Sequence, residues 1–151
     1  MIHEKFDLVL TIKRLVQERS PTIDERQLKI NLPQQANFSC IGDRVLIGQA
    51  VANLLDIAIR FCNNDGQIDI SLESLVHLTR VSLLNQGPAI PDFAKAKLYH
   101  RFFSLPPVDS TQMISKSSGL DLSFVEEIMK LNKGKIEIAN ISNGVSAMLS
   151  W

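Results

Sequence analysis

Apolar positions along the chain recur at two alternating periods, one helical and one of strand type. From Phe6 to about Arg19, Leu8, Leu10, Ile12, Leu15 and Val16 are interleaved with Lys13, Arg14, Gln17 and Glu18, a helical stripe ending before Ser20-Pro21. Leu28 to Leu32 and Phe38 to Ile41 are short alternating runs separated by Pro33, which predicts two strands joined by a turn, a hairpin or edge pair. Asp43 is placed to cap the next helix. In it Val45-Leu46, Ala50-Val51, Leu54-Leu55 and Ala58-Ile59 recur at helical spacing until Asn63-Asn64-Asp65-Gly66 stops it.

Beyond that stop, Ile68, Ile70 and Leu72 alternate with Gln67, Asp69, Ser71 and Glu73, and a second run spans Leu78 to Leu84, giving two half-buried strands. Gln86 to Ser118 holds Pro88, Pro91, Pro106 and Pro107, which predicts a long loop with at most a short helix around Phe93 to Tyr99. A loop of that length inside a compact domain is usually functional or disordered. Leu120 to Leu131 has helical spacing and ends with Gly134 as C-cap. Ile136 and Ile138 then pair through an Asn143-Gly144 turn with Val145, Ala147 and Leu149. The predicted order is helix, strand pair, helix, strand pair, long loop, helix, strand pair. It implies an α/β two-layer sandwich, a mixed sheet with helices on one face.

Composition narrows the function classes. A length of 151 residues suits a single domain over 1–151, with a core large enough to fold without disulfides or metals. Sixteen basic and sixteen acidic side chains balance, so no net field draws the chain to nucleic acid or to an anionic membrane surface. Cys40 and Cys62 match no metal-ligand or CxxC spacing and read as small buried hydrophobes in a reducing compartment. With neither a membrane-length apolar run nor a secretory leader, the expectation is a cytoplasmic chain, a fragment of a longer protein.

Four segments carry more specific chemistry: Gly42 to Phe61 (GDRVLIGQAVANLLDIAIRF), Asn85 to Pro91 (NQGPAIP), His100 to Pro106 (HRFFSLP) and Ser117 to Val125 (SSGLDLSFV). In order and spacing they resemble the nucleotide-binding boxes of sensor histidine kinases, gyrase B, the heat-shock chaperone of that ATPase superfamily and the mismatch-repair ATPases. The likeness is greatest to bacterial membrane sensor kinases, whose lobes read roughly GDxxLLxQALxNLLDNAIRF, DNGPGIP, ERFYSLP and GSGLGLSFV. It implies a Bergerat-type ATP-binding fold that takes ATP and Mg²⁺.

The resemblance also implies roles. Asn53 stands where the family holds Mg²⁺, a hard ion suited to a carboxamide oxygen and water. Gln49, four residues earlier, stands where ATP-hydrolysing relatives carry a Glu base; Gln cannot take a proton, as suits a lobe that spares ATP from water. Arg60 matches a phosphate contact and Phe61 an aromatic against adenine. Asn85 replaces the Asp that accepts from the adenine amino group, followed by Gly87, Ala89 and Ile90. Arg101 and Phe103 belong to the lid, Arg101 reaching toward the γ-phosphate. Lys116, Ser117, Ser118, Gly119, Leu120 and Leu122 cover the phosphate turn at a helix N-terminus.

Five positions depart from the family pattern. Ile57 removes a polar contact, Asn85 weakens an acceptor, Ala89 and Ser117 replace glycines, and Asp121 sets a negative charge where phosphate arrives. Two function classes follow. One is an ATP-Mg²⁺ lobe for phosphorylation of a histidine on dimerisation helices absent from this chain, in a pathway with a response regulator. The other is a degenerate lobe acting by protein interaction. A monomer is expected, because the family's dimer contacts lie on those helices.

Overall fold

A computed structural model describes residues 1–95, 97–99 and 122–151. In chain order it contains β1 (Glu4–Asp7), α1 (Leu8–Glu18), α2 (Ser20–Glu25), β2 (Lys29–Asn31), β3 (Ser39–Gly42), α3 (Arg44–Phe61), β4 (Gln67–Leu75) and β5 (Leu78–Gln86). These are followed by α4 (Asp92–Lys95), α5 (Leu122–Leu131), β6 (Lys135–Ile141) and β7 (Gly144–Ser150).

The expected two-layer sandwich is present. A five-stranded sheet of order β2-β4-β5-β7-β6 is antiparallel except for the parallel β2-β4 pair. Strand side chains alternate between faces. Cross-strand register therefore puts Ile68, Ile70 and Leu72 of β4, Leu83 and Val81 of β5, Ala147 and Leu149 of β7 and Ile136 of β6 on one buried face. α3 packs over β5 and β7, and α5 lies against both α3 and β6. Ile47, Leu54 and Leu55 of α3 are almost completely buried in that core, where truncating one such side chain to Ala costs about 2–5 kcal/mol.

Both cysteines are buried and free, as their spacing implied. Burial, with the nearby Asp7 charge, pushes the Cys40 thiol up to about 12. Desolvation also raises Cys62, although the Arg26 charge opposes it.

Several elements differ from the sequence reading. Phe6 and Asp7 belong to a strand rather than to the first helix, because β1 pairs antiparallel with β3 in a separate two-stranded sheet with Phe6 opposite Cys40. Asp7 then caps α1: its Oδ1 accepts from Val9 N at 2.9 Å and from Phe38 N at 3.0 Å. The helical stripe resumes after Arg19 as α2, with Pro21 in its first turn, where a missing N–H costs nothing. The hairpin expected from Leu28–Leu32 and Phe38–Ile41 is absent. β2 runs parallel to β4 with Ile30 opposite Ile68, extending the core row, while β3 joins β1.

Two turns also differ. Lys133, at φ 59°, holds the left-handed position after α5, and Gly134 N donates to Met129 O at 2.7 Å one residue later. In the β6-β7 hairpin the positive φ falls on Asn143, at 65°. Gly144 is already paired with Ile141, and a β-carbon there would overlap the Asn85 carbonyl oxygen.

Candidate functional site

The site is built around α3. Asp43 begins the helix as expected, its Oδ1 accepting from Leu46 N at 3.0 Å. The backbone N–H groups of Leu46, Ile2 and Val45 hold the Asp43 carboxyl below the usual carboxylate range. Midway along, Asp56 is gripped by Arg19, Nε to Oδ1 at 2.6 Å and Nη2 to Oδ2 at 3.3 Å, which fixes α3 against the end of α1. At the far end the Arg26 guanidinium donates to the carbonyl oxygens of Ile59 and Cys62 and, through Nε, to Asn64 Oδ1 at 2.8 Å. A cation on the last carbonyls suits the negative end of a helix dipole.

Of the sequence candidates on α3, Gln49, Asn53 and Arg60 lie along one strip, and Phe61 points about 100° round from Arg60. Gln49 is exposed and lines a groove of about 470 Å³ between α1 and α3 with Leu10, Arg14, Val45 and Gly48. Asn53, one turn on, is half-buried and its carboxamide sits on the same side of the helix. Arg60 and Phe61 are half-buried in the last turn, and burial of the Arg60 guanidinium lowers its pKa. From Asn53 to Phe61 the helix rises roughly 12 Å. Ile57, in place of a polar residue, packs against the core.

The second box meets this helix at its C-terminus. Asn85, near the end of β5, is 5 % exposed and lies on the core face, with its Nδ2 3.5 Å from the Gln86 carbonyl oxygen. Asn63 N donates to Gln86 O at 2.9 Å, joining the end of α3 to the end of β5. Gly87 sits so close that a β-carbon would overlap Phe61 O. Ala89 is exposed and Ile90 half-buried. Leu122, also a candidate, is buried at the start of α5.

Asn53, Arg60, Phe61, Asn85, Gly87 and Ile90 thus belong to two segments joined at one end of the sheet. Arg101, Phe103, Lys116, Ser117, Ser118, Gly119 and Leu120 lie outside the described residues. Among the described residues no group of three or more His, Cys, Asp or Glu is placed to hold a metal. The donor chemistry fits an ion that takes one protein oxygen and completes its shell with ligand phosphates and water, as Mg²⁺ does.

Sequence reasoning missed three residues here. Arg26 anchors the end of α3. Asn140 on β6 bonds the backbone of Ile90, and Asn143 O accepts from Gly87 N at 3.0 Å. No local spacing announces a side chain or carbonyl whose partner lies dozens of residues away.

This arrangement agrees with the family profile of the histidine kinase-, DNA gyrase B- and HSP90-like ATPases, which matches residues 42–149, and the chain belongs to that family. Curated relatives of the chain include sensor proteins. The chain is 32% identical to the sensor protein CreC of Escherichia coli over 139 residues, 91% of this chain and 28% of that one. It is 27% identical to the heme sensor protein HssS of Staphylococcus aureus over 146 residues, 97% of this chain and 30% of the relative. The chain thus spans less than a third of these relatives.

Among solved structures, the catalytic domain of histidine kinase ThkA superposes with a TM-score of 0.84 at 27% identity, covering 99% of this chain and 95% of that one. ThkA in complex with the response regulator protein TrrA matches with a TM-score of 0.78 at 26% identity, covering 98% of this chain and 41% of that one. The fold is that of histidine kinase catalytic domains. No described helix is long and apolar enough to cross a membrane.

Proposed function

We propose that this chain is the lobe of a sensor kinase that binds ATP with Mg²⁺ and presents it for phosphorylation of a histidine on dimerisation helices outside this sequence, within a two-component pathway ending in a response regulator. The observation that carries the reading is the close approach of Gly87 to Phe61 O beside the buried carboxamide of Asn85. It sets an aromatic, a hydrogen-bonding side chain and a glycine-permitted backbone together at one end of the helix bearing Asn53.

In this reading Asn85 Oδ1 accepts from the adenine amino group, and Phe61 lies against the base. Arg60 and Arg101 offset phosphate charge. Asn53 supplies the protein oxygen for Mg²⁺, and the ion would neutralise charge on the transferred phosphoryl group. Gln49, which cannot act as a base, leaves water unactivated. Lys116, Ser117, Ser118, Gly119, Leu120 and Leu122 contribute the phosphate turn, while Ala89, Ile90 and Phe103 close the base side.

A degenerate lobe that works by docking is the second reading. It is favoured by Ile57, a half-buried apolar side chain packed against the core, and by the neutral Asn85. Calorimetric titration with ATP, with and without Mg²⁺, separates the two. Saturable micromolar binding that needs Mg²⁺ supports the first; silence up to millimolar nucleotide leaves only the second.

A further inference from the structure

We propose that Asn140, together with the turn of the β6-β7 hairpin, positions the base-facing arch of residues 87–90, so that an edge strand is a working part of the nucleotide site. The proposal rests on the ATP-binding reading above and adds to it a residue outside the four boxes.

The register places Asn140 in one row with Val145, Asn85 and Ile68, on the face of the sheet that the helices cover. Asn140 and Asn85 both flank Val145, two strands apart, which is roughly 9–10 Å at ordinary strand spacing. The chain leaving β5 has to cross that gap. It starts at Gly87, whose N–H donates to Asn143 O at 3.0 Å, and it lands at Ile90. There the Asn140 carboxamide holds both backbone groups of one residue: Oδ1 accepts from Ile90 N at 2.8 Å and Nδ2 donates to Ile90 O at 3.1 Å.

A carboxamide bonded in this way reproduces the two-way exchange of an antiparallel strand pair. It adds at the edge strand β6 the partner that Ile90 would otherwise need from another strand. Pro88 and Ala89, at the crown of the arch, are exposed, so its anchored ends set its position. One end is pressed on Phe61 O through Gly87, and the other is bonded to Asn140. In the ATP-binding reading, where a base could lie against Asn85 and Phe61 follows from where these two ends stand. A base entering there meets backbone whose position was fixed before binding, which saves the ordering cost that a free arch would incur.

The test uses the chain as it stands and three measurements on wild type, Asn140→Ala and the isosteric Asn140→Asp. These are titration with Mg-ATP and with Mg-tripolyphosphate, which lacks a base; amide hydrogen exchange at Ile90; and the melting temperature. Asp keeps an acceptor for Ile90 N but sets a second oxygen against Ile90 O, so both variants should weaken ATP binding about tenfold. Tripolyphosphate affinity should change less than about twofold, Ile90 exchange should rise about tenfold or more, and the melting temperature should fall by only a few degrees.

A loss shared equally by ATP and tripolyphosphate would mark Asn140 as merely structural and overturn the proposal, as would unchanged ATP affinity in both variants. Silence of the wild type toward both ligands would defeat the ATP reading itself. The assignment of Asn140 to a nucleotide site would fall with it, and Ile90 exchange would still report whether the clamp exists.

Discussion

The carbonyl oxygen of Phe61 occupies the space a β-carbon on Gly87 would need, so the last turn of α3 and the exit of β5 are in contact at backbone level. Replacing Gly87 with Ala forces one of the two to move. Overpacking of this kind costs about 1–3 kcal/mol, and for a domain of this size each kcal/mol lowers the melting temperature by about 2–4 °C. Gly87→Ala is therefore expected to melt several degrees lower and to lose measurable ATP binding. Unchanged melting by calorimetry would show that the contact is relaxed at no cost.

Arg26 gives a second test at the same helix end. Its guanidinium bonds Ile59 O, Cys62 O and Asn64 Oδ1, three acceptors on a segment that also bears Arg60 and Phe61. Hydrogen bonds involving a charged partner are worth about 1.5–3 kcal/mol, so Arg26→Met should lose about 2 kcal/mol in denaturant unfolding. Arg26→Lys should recover little, since an ammonium cannot span the same fork of acceptors. Full recovery by Lys would mean that charge alone, acting on the helix dipole, is responsible.

Gly87 was legible in the sequence and Arg26 was not, and the same division runs through the fold. α3 was readable because a capping Asp43, an apolar stripe and an Asn-Asn-Asp-Gly stop agree over eighteen residues. β1 was not, because Glu4–Asp7 has one buried apolar side chain and finds its partner in β3, more than thirty residues on. α2 was missed because Pro21 reads as a terminator from the N-terminal side but is equally at home in a first turn. β2 and β3, neighbours in sequence, read as a pair, yet β2 pairs with β4 and β3 with β1. The choice of partner depends on which core row each extends, a tertiary matter. The family could be read because its residue types recur at set spacing over residues 42–149, whereas Arg26 and Asn140 bond backbone groups, which any sequence supplies.

Asp43 sets an acid limb on stability. Its folded-state pKa lies below the ordinary value because backbone N–H groups favour the carboxylate. A depressed carboxyl pKa means that the folded state releases this proton more readily than the unfolded chain. The stability it adds is present above the unfolded value of 3.8 and is lost as pH falls through the lower folded value. Asp43→Asn keeps an acceptor for Leu46 N but does not titrate. Its stability relative to wild type should rise as pH is lowered through that window, in chemical unfolding followed by circular dichroism. A constant difference between the two from neutral to acid pH would remove Asp43 from the account.

Asn85 and Asp121, both departures from the family pattern, are expected to weaken nucleotide binding. Asn85 is 5 % exposed, so Asn85→Asp places a carboxylate in a largely desolvated position. Without ligand, desolvation should raise the pKa of that carboxyl, and the cost of burying it should lower the melting temperature. With ATP bound, the same charge accepts from the adenine amino group in a bond roughly twice as strong as the neutral one. Asp121 lies outside the described residues, and Asp121→Gly removes one negative charge from the segment proposed as the phosphate turn. The double variant Asn85→Asp/Asp121→Gly is expected to bind Mg-ATP about tenfold or more tightly than wild type while being less stable when empty. Affinity and apo stability should thus move in opposite directions. If the double variant gains no affinity, the weakness of the site lies elsewhere, and Ile57, half-buried against the core, becomes the position to change.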